Sequence, residues 1–146
     1  MKTFEAGIRI GASAEQVWQV LVDVGSYRDW GSGVDRVDGS VGLGERLVVH
    51  ARVARGRAYQ VTVTEIRPGE AMRWRGGLPL GLFVGERTFR LDPQADGSTE
   101  FTMREEYSGP LAGLLGRTVP DLNPSFRTFA AGLKARAEQL ATQPSS

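Results

Sequence analysis

The chain opens on an alternation of apolar and polar positions. In "TFEAGIRI" (residues 3–10), Phe4, Ala6, Ile8 and Ile10 recur at every second position, the period of a strand with two unequal faces. The next stretch, "SAEQVWQVLVDV", changes period. Val17, Val20, Leu21 and Val24 fall three or four apart and share one face of a helix. Ser13 precedes that face as an N-cap, and Gln16 three residues on completes a capping-box pattern. "SYRDWG" predicts a second short helix ended by Gly31. Five glycines between residues 31 and 44 then predict an irregular connection with at most one short strand, near 34–37.

The period-two signal returns and holds for five segments: "ERLVVHARV" (45–53), "AYQVTVTEI" (58–66), "AMRWRG" (71–76), "LFVGERTFRL" (82–91) and "TEFTMREEY" (99–107). "ARG", "RPGE", "GGLPLG" and "DPQADG" separate them with turn chemistry, which argues an antiparallel meander. After Gly109 the period becomes helical again. Leu115, Val119, Leu122, Phe126, Phe129, Leu133 and Leu140 form one stripe, interrupted early by Pro120 and Pro124. Proline costs ~3 kcal/mol inside a helix and little in its first turn. The prediction is a short helix near 110–117, a break, a long helix over about 121–141, and a frayed "TQPSS" tail.

Composition narrows the chemistry. The 146 residues fit one domain, 1–146, ordered over about 3–141. With 18 basic and 17 acidic residues the net charge is +1, which gives no reason to expect a nucleic-acid partner. All but Lys2 and Lys134 of the basic residues are arginines, a bias that marks no site. The absence of cysteine removes disulfides, thiolate nucleophiles and Cys-ligated metals, and the lone His50 removes multi-histidine metal sites. No metal and no cofactor is expected. Neither a signal-peptide core nor an 18-residue apolar run is present, so the expectation is a cytoplasmic protein without stable membrane insertion, monomer or homodimer.

Four segments carry a resemblance: "IRIGASAEQVWQVLVDVGSYRDW", "RWRGGLPLGLF", "FRLDP...DGSTEFTMREEYSG" and "LKARAEQ". The chain resembles the START-like helix-grip superfamily, SRPBCC, and within it bacterial polyketide cyclase/dehydrase-like proteins, over about residues 3–141. The resemblance implies an α+β helix-grip fold. A curved antiparallel sheet of six to seven strands would wrap a long C-terminal helix, with two short helices after the first strand and an apolar cavity between sheet and helix. The superfamily uses this scaffold for several unrelated tasks, so fold does not fix function.

The residues support that shape independently, because a one-faced sheet and a one-striped helix must cover each other. The inward parity holds Leu47, Val49, Tyr59, Val61, Val63, Met72, Trp74, Phe83, Phe89, Phe101, Met103 and Tyr107, and the helix offers Leu122, Phe126 and Phe129. Such large flat side chains suit either a filled core or the wall of a pocket. Candidate ligand-binding residues are Trp30, Val49, Tyr59, Val61, Met72, Trp74, Phe83, Arg87, Met103, Glu105, Tyr107, Leu122, Phe126 and Phe129. Trp30 enters on the family layout, as a residue of the cavity entrance. Trp18 reads as core.

Arg87 and Glu105 share the apolar parity. With the hairpin turn centred near Ala95, Phe89 falls opposite Phe101 and Arg87 opposite Met103, which makes Arg87 and Glu105 diagonal neighbours. Three readings stay open: a structural ion pair across a solvated cavity, a polar anchor for a ligand with Tyr107 beside it, or a bulge at Gly85 that turns Arg87 to solvent. Arg87, Glu105 and Tyr107 are also the candidate acid–base residues should the protein be an enzyme.

Other features read as surface. His50 lies on the outward parity. So do most of Arg52, Arg55, Arg57, Arg73, Arg75, Arg90 and Arg104, interleaved with Glu86, Glu100 and Glu106. "GSVGLGERL" lacks the spacing of a dinucleotide fingerprint and reads as a flexible loop, one that would act as a gate if it flanked the cavity mouth. The leading expectation is binding of a small hydrophobic ligand, lipid-like or aromatic and polyketide-like. The alternatives are a polyketide aromatase/cyclase or dehydratase, and an interaction module with a vestigial cavity.

Overall fold

The computed structural model describes residues 2–52 and 58–142. Val53, Arg55 and Arg57 and the "TQPSS" tail beyond Thr142 therefore lie outside the described residues. Seven strands form one antiparallel sheet: β1 (Lys2–Ile10), β2 (Val34–Asp38), β3 (Arg46–Ala51), β4 (Ala58–Arg67), β5 (Ala71–Gly77), β6 (Val84–Pro93) and β7 (Thr99–Ser108). Their order is β1-β7-β6-β5-β4-β3-β2, so strands next to each other along the chain from β2 to β7 are neighbours, and β1 closes onto β7. Register shifts near Thr64 and Asp35 mark irregularities that bend the sheet.

Helix α1 (Ala14–Val22) starts as its sequence dictates. The Ser13 hydroxyl accepts from the Gln16 amide at 3.2 Å, and the Gln16 side chain accepts from the Ser13 amide at 2.9 Å. The second short helix is a 3₁₀ segment, Val24–Asp29. Helix α2 (Ala112–Leu115) continues into a 3₁₀ turn, Gly116–Thr118. The long helix α3 spans Asn123–Ala141, two residues later than the stripe predicts, because the Asp121 side chain accepts the Asn123 amide at 3.0 Å and holds a turn there. Pro124 occupies the first turn of α3, where no amide hydrogen is required.

The helix grips the sheet through Phe126, Phe129, Ala130, Leu133 and Ala137, all buried. Leu140 is 40% exposed, so the stripe ends on Ala137 rather than continuing to Leu140. Gly132 allows the close approach of α3 to the corner after the 3₁₀ helix, since a Cβ there would stand 2.7 Å from the carbonyl oxygens of Trp30 and Gly31. The fold is the α+β helix grip. No helix among the described residues is long and apolar enough to cross a membrane.

Two expectations need correction. The hairpin of β6 and β7 turns about Asp96, not Ala95. Asp96 Oδ1 accepts the Ser98 amide at 2.9 Å and Gly97 takes a positive φ of 86°, so Pro93 pairs with Thr99. Phe89 therefore faces Met103, Leu91 faces Phe101, and Arg87 stands directly opposite Glu105. Pairing runs unbroken through Gly85 on both sides, so the bulge that would turn Arg87 outward does not form.

Candidate ligand-binding cavity

On the sheet's inner face, β6 and β7 change character along their length. Phe89 and Leu91, then Phe101 and Met103, are buried apolar positions packed in the core. One step further along the same parity stand Arg87 and Glu105, with Gly85 and Tyr107 beyond them. At this end of the sheet the interior opens into a cavity of about 830 Å³. Its walls come from the ends of β3, β5 and β7, the starts of β2, β4 and β6, and the segment from Val119 to Phe129.

Eleven of the fourteen candidate residues line that space: Tyr59, Val61, Trp74, Phe83, Arg87, Met103, Glu105, Tyr107, Leu122, Phe126 and Phe129. The other three do not. Val49 and Met72 lie on the correct face but within the packed interior, and alternation alone carries no information on depth. Trp30 is locked edge-on between Tyr27 and Phe129, with ring centroids 5.2 Å away in each case. It is core rather than an entrance residue.

Ser32, Gly33, Val34, Ala51, Gly76, Gly85, Val119, Pro120 and Ser125 also line the cavity. Several of these sit in loops without periodicity, and the glycines have no side chain for a hydrophobic pattern to register. Arg52, read as outward, reaches the rim and lies 3.7 Å from Asp35. The glycine loop of residues 39–44 joins β2 to β3 at the opposite end of the sheet, where Gly44 donates to the Val63 carbonyl. It does not flank the mouth and cannot gate it.

Four polar side chains of the cavity, Tyr59, Arg87, Glu105 and Tyr107, form one connected network. Arg87 Nε donates to Glu105 Oε1 at 3.2 Å, with side-chain exposures of 14% and 11%. Tyr107 donates its hydroxyl to Glu105 Oε2 at 2.6 Å, and Arg87 Nη1 donates to the Tyr59 hydroxyl at 3.4 Å. The guanidinium carbon also lies 4.9 Å from the centre of the Phe126 ring, a cation–π contact. Burial acts against the Arg87 charge, but the Glu105 carboxylate and the Tyr59 hydroxyl outweigh it and hold its pKa above the ordinary arginine range. Burial, then the Glu105 charge, pushes the Tyr107 phenol well above the ordinary tyrosine range, so it stays a hydrogen-bond donor at neutral pH.

Tyr107 is held in place from two sides. Phe83 stacks on it, with centroids 5.3 Å apart and planes 4° from parallel. Gly85 lies beneath it, where a Cβ would approach Tyr107 Cε1 to 3.0 Å. Above, most of the Arg87 fork remains uncommitted: Nη2 has no acceptor among the described residues. Trp74 is paired with Arg87 across β5 and β6, and its ring borders the cavity while its indole N–H is buried without a partner among the described residues. Apolar walls with a few converging polar groups are the usual make-up of a small-molecule site.

The remaining surface features lie elsewhere. His50 Nε2 sits 3.1 Å from Asp38 Oδ2 on the outer face of β2 and β3, away from the cavity. Arg73 pairs with Glu65 and Glu86, and Arg104 with Glu106, on that same outer face. Leu78, Leu80 and Leu82, in the connection between β5 and β6, and Leu114 in α2 are exposed, Leu80 to 95%. Among the described residues no cluster of three or more acidic or histidine side chains is arranged to hold a metal.

No curated protein matches the sequence. Among solved structures, the Zhui aromatase/cyclase from Streptomyces sp. R1128 is 17% identical, with 94% of each chain covered and a TM-score of 0.70. A START superfamily protein from Mycobacterium smegmatis is 18% identical over 94% of this chain and 98% of that one, with a TM-score of 0.67. A norcoclaurine synthase point mutant from Thalictrum is 17% identical over 95% of each chain, with a TM-score of 0.69. At these identities the likeness speaks to fold. The sequence itself matches a family model over residues 1–138, and the chain belongs to the family described as polyketide cyclase / dehydrase and lipid transport.

Proposed function

We propose that the protein binds one small hydrophobic molecule, lipid-like or aromatic and polyketide-like, inside the cavity with its polar end on Arg87 and Tyr59. One observation carries this reading. A space of about 830 Å³, large enough for a drug-sized ligand, is walled by aromatic and aliphatic side chains and holds, among the described residues, one buried ion pair whose free N–H groups face no acceptor. A core that only needed filling would gain nothing from that pair, because apolar side chains of similar volume do as well or better. Native mass spectrometry of the purified protein tests it. A co-purifying hydrophobic compound, released intact on denaturation, is the expected result. An empty protein that also ignores a panel of fatty alcohols, fatty-acid esters and aromatic polyketides would overturn it.

The contact between Tyr107 and Glu105 favours a second reading, an aromatase/cyclase or dehydratase. In such a step Glu105 would take the proton α to a ketone while Arg87 held the enolate oxygen. Against it, both carboxylate oxygens are already engaged, one by Arg87 and one by Tyr107, so neither is free to meet a substrate proton. The Tyr107 phenol is a poor acid. Recovery of a chemically altered compound after incubation with a poly-ketone would decide for the enzyme.

A further inference from the structure

Among the described residues three charged side chains line the cavity: Arg52, Arg87 and Glu105. Arg52 belongs to the rim, well exposed and facing Asp35, where water screens its charge. Inside, the charge of Arg87 is already matched by Glu105, and the Tyr107 hydroxyl supplies Glu105 with a second donor. Among the described residues the interior is therefore electrically balanced before any ligand arrives. What it still offers is donors: the Arg87 N–H groups that have no acceptor.

From this balance we infer that Glu105 is a specificity residue that selects by charge, so that the cavity takes an uncharged molecule with an accepting oxygen and turns away carboxylates. The inference rests on the cavity being the binding site. A ketone, ester or hydroxyl oxygen can accept from Arg87 and leave the pair neutral. An ionised carboxylate accepts the same bonds but puts two anions around one cation among aromatic walls. The desolvation of the second anion then goes uncompensated. The ion pair thus does more than hold the fold: it spends the charge that would otherwise have captured a fatty acid or aromatic acid, and keeps the hydrogen bonds.

The test is calorimetric titration at neutral pH with two probes of one shape, 2-acetylnaphthalene and 2-naphthoate, on the wild type and on Glu105→Gln. The variant keeps the size of the side chain and removes its charge. Relative to the ketone, naphthoate should gain at least ~10-fold in affinity on going from the wild type to Glu105→Gln. Naphthoate should also raise the melting temperature of the variant and not that of the wild type. If Glu105→Gln does not fold, Glu105→Met removes the same charge and should show the same gain. Naphthoate binding the wild type as tightly as the ketone, or no gain in an uncharged variant, overturns the inference and leaves the cavity reading standing. Failure of both probes and of the neutral dye Nile red to bind any form overturns the cavity reading and the inference together.

Discussion

One sheet face builds two different interiors. At the end nearest the turn between β6 and β7, the inner face carries Leu47, Val63, Met72, Phe89 and Phe101, all essentially inaccessible to solvent. Against them α3 presents Ala130, Leu133 and Ala137, and α1 adds Val17 and Leu21. At the other end the same strands carry Ala51, Tyr59, Gly76, Arg87, Glu105 and Tyr107, and α3 presents Phe126 from a chain just emerging from its break. Small helix residues let the backbone approach where the interior is to be filled. Large rings, glycines and an ion pair occur where it is to stay open. The filled and the open interior are thus separated along the strands of one sheet.

The sharpest way to break this comparison is to truncate one phenylalanine at each end. Phe101→Ala should cost about 3–5 kcal/mol in urea unfolding, because the hole is sealed among neighbours that cannot collapse. Phe83→Ala at the mouth should cost less than about 1.5 kcal/mol, since its ring already borders the open space. Equal losses would mean that the open end is core after all.

A smaller effect belongs to the ion pair. Glu105→Ala should cost about 2 kcal/mol, less than the 3–5 of a fully buried pair, because water in the cavity can reach Arg87. Arg87→Met combined with Glu105→Ala should recover most of that loss, measured as a double-mutant cycle in chemical denaturation. Failure to recover would show that each partner has other structural duties.

The smallest effect is in pH. The folded-state pKa of Tyr107 lies above its unfolded value, so stability is intact below about pH 10. It falls as pH rises beyond that, when the unfolded chain loses a proton that the folded chain keeps. Tyr27, buried and donating to the Leu21 carbonyl, behaves the same way. Tyr107→Phe should flatten the decline between pH 9 and 11 by up to about 1.4 kcal/mol per pH unit, read from urea midpoints. An unchanged slope would assign the whole decline to Tyr27 and other groups.

How far the sequence reaches can be judged from the hairpin of β6 and β7. Alternation placed Arg87 and Glu105 on the inner face, and that face is correct. It paired them with the wrong partners, because a slip of two residues leaves every side chain on its own side of the sheet. The register was decided by Asp96 and Gly97, whose local bonds set the turn. Depth was equally hidden. Val49 and Tyr59 have the same parity and pair with each other, yet only Tyr59 borders the cavity. Whether an inward position is filled or open depends on which part of α3 passes over it, a tertiary fact that no strand period encodes. The capping box at Ser13 and Gln16 was legible because all of its parts lie within four residues.

The strand order has a further consequence. Six strands, β2 to β7, each close on the next through a short connection, whereas β1 reaches its partner β7 across most of the chain, Lys2 meeting Tyr107 and Phe4 meeting Glu105. Loop-closure entropy grows with the logarithm of the enclosed length, so this one pairing costs roughly 2–3 kcal/mol more than any hairpin in the sheet. The strand that flanks Glu105 is therefore the most expensive to bring home entropically. Phe4 offsets that cost on arrival, its ring meeting Tyr107 and Phe126 edge to face. The cavity wall and the closure of the chain are secured by the same three rings.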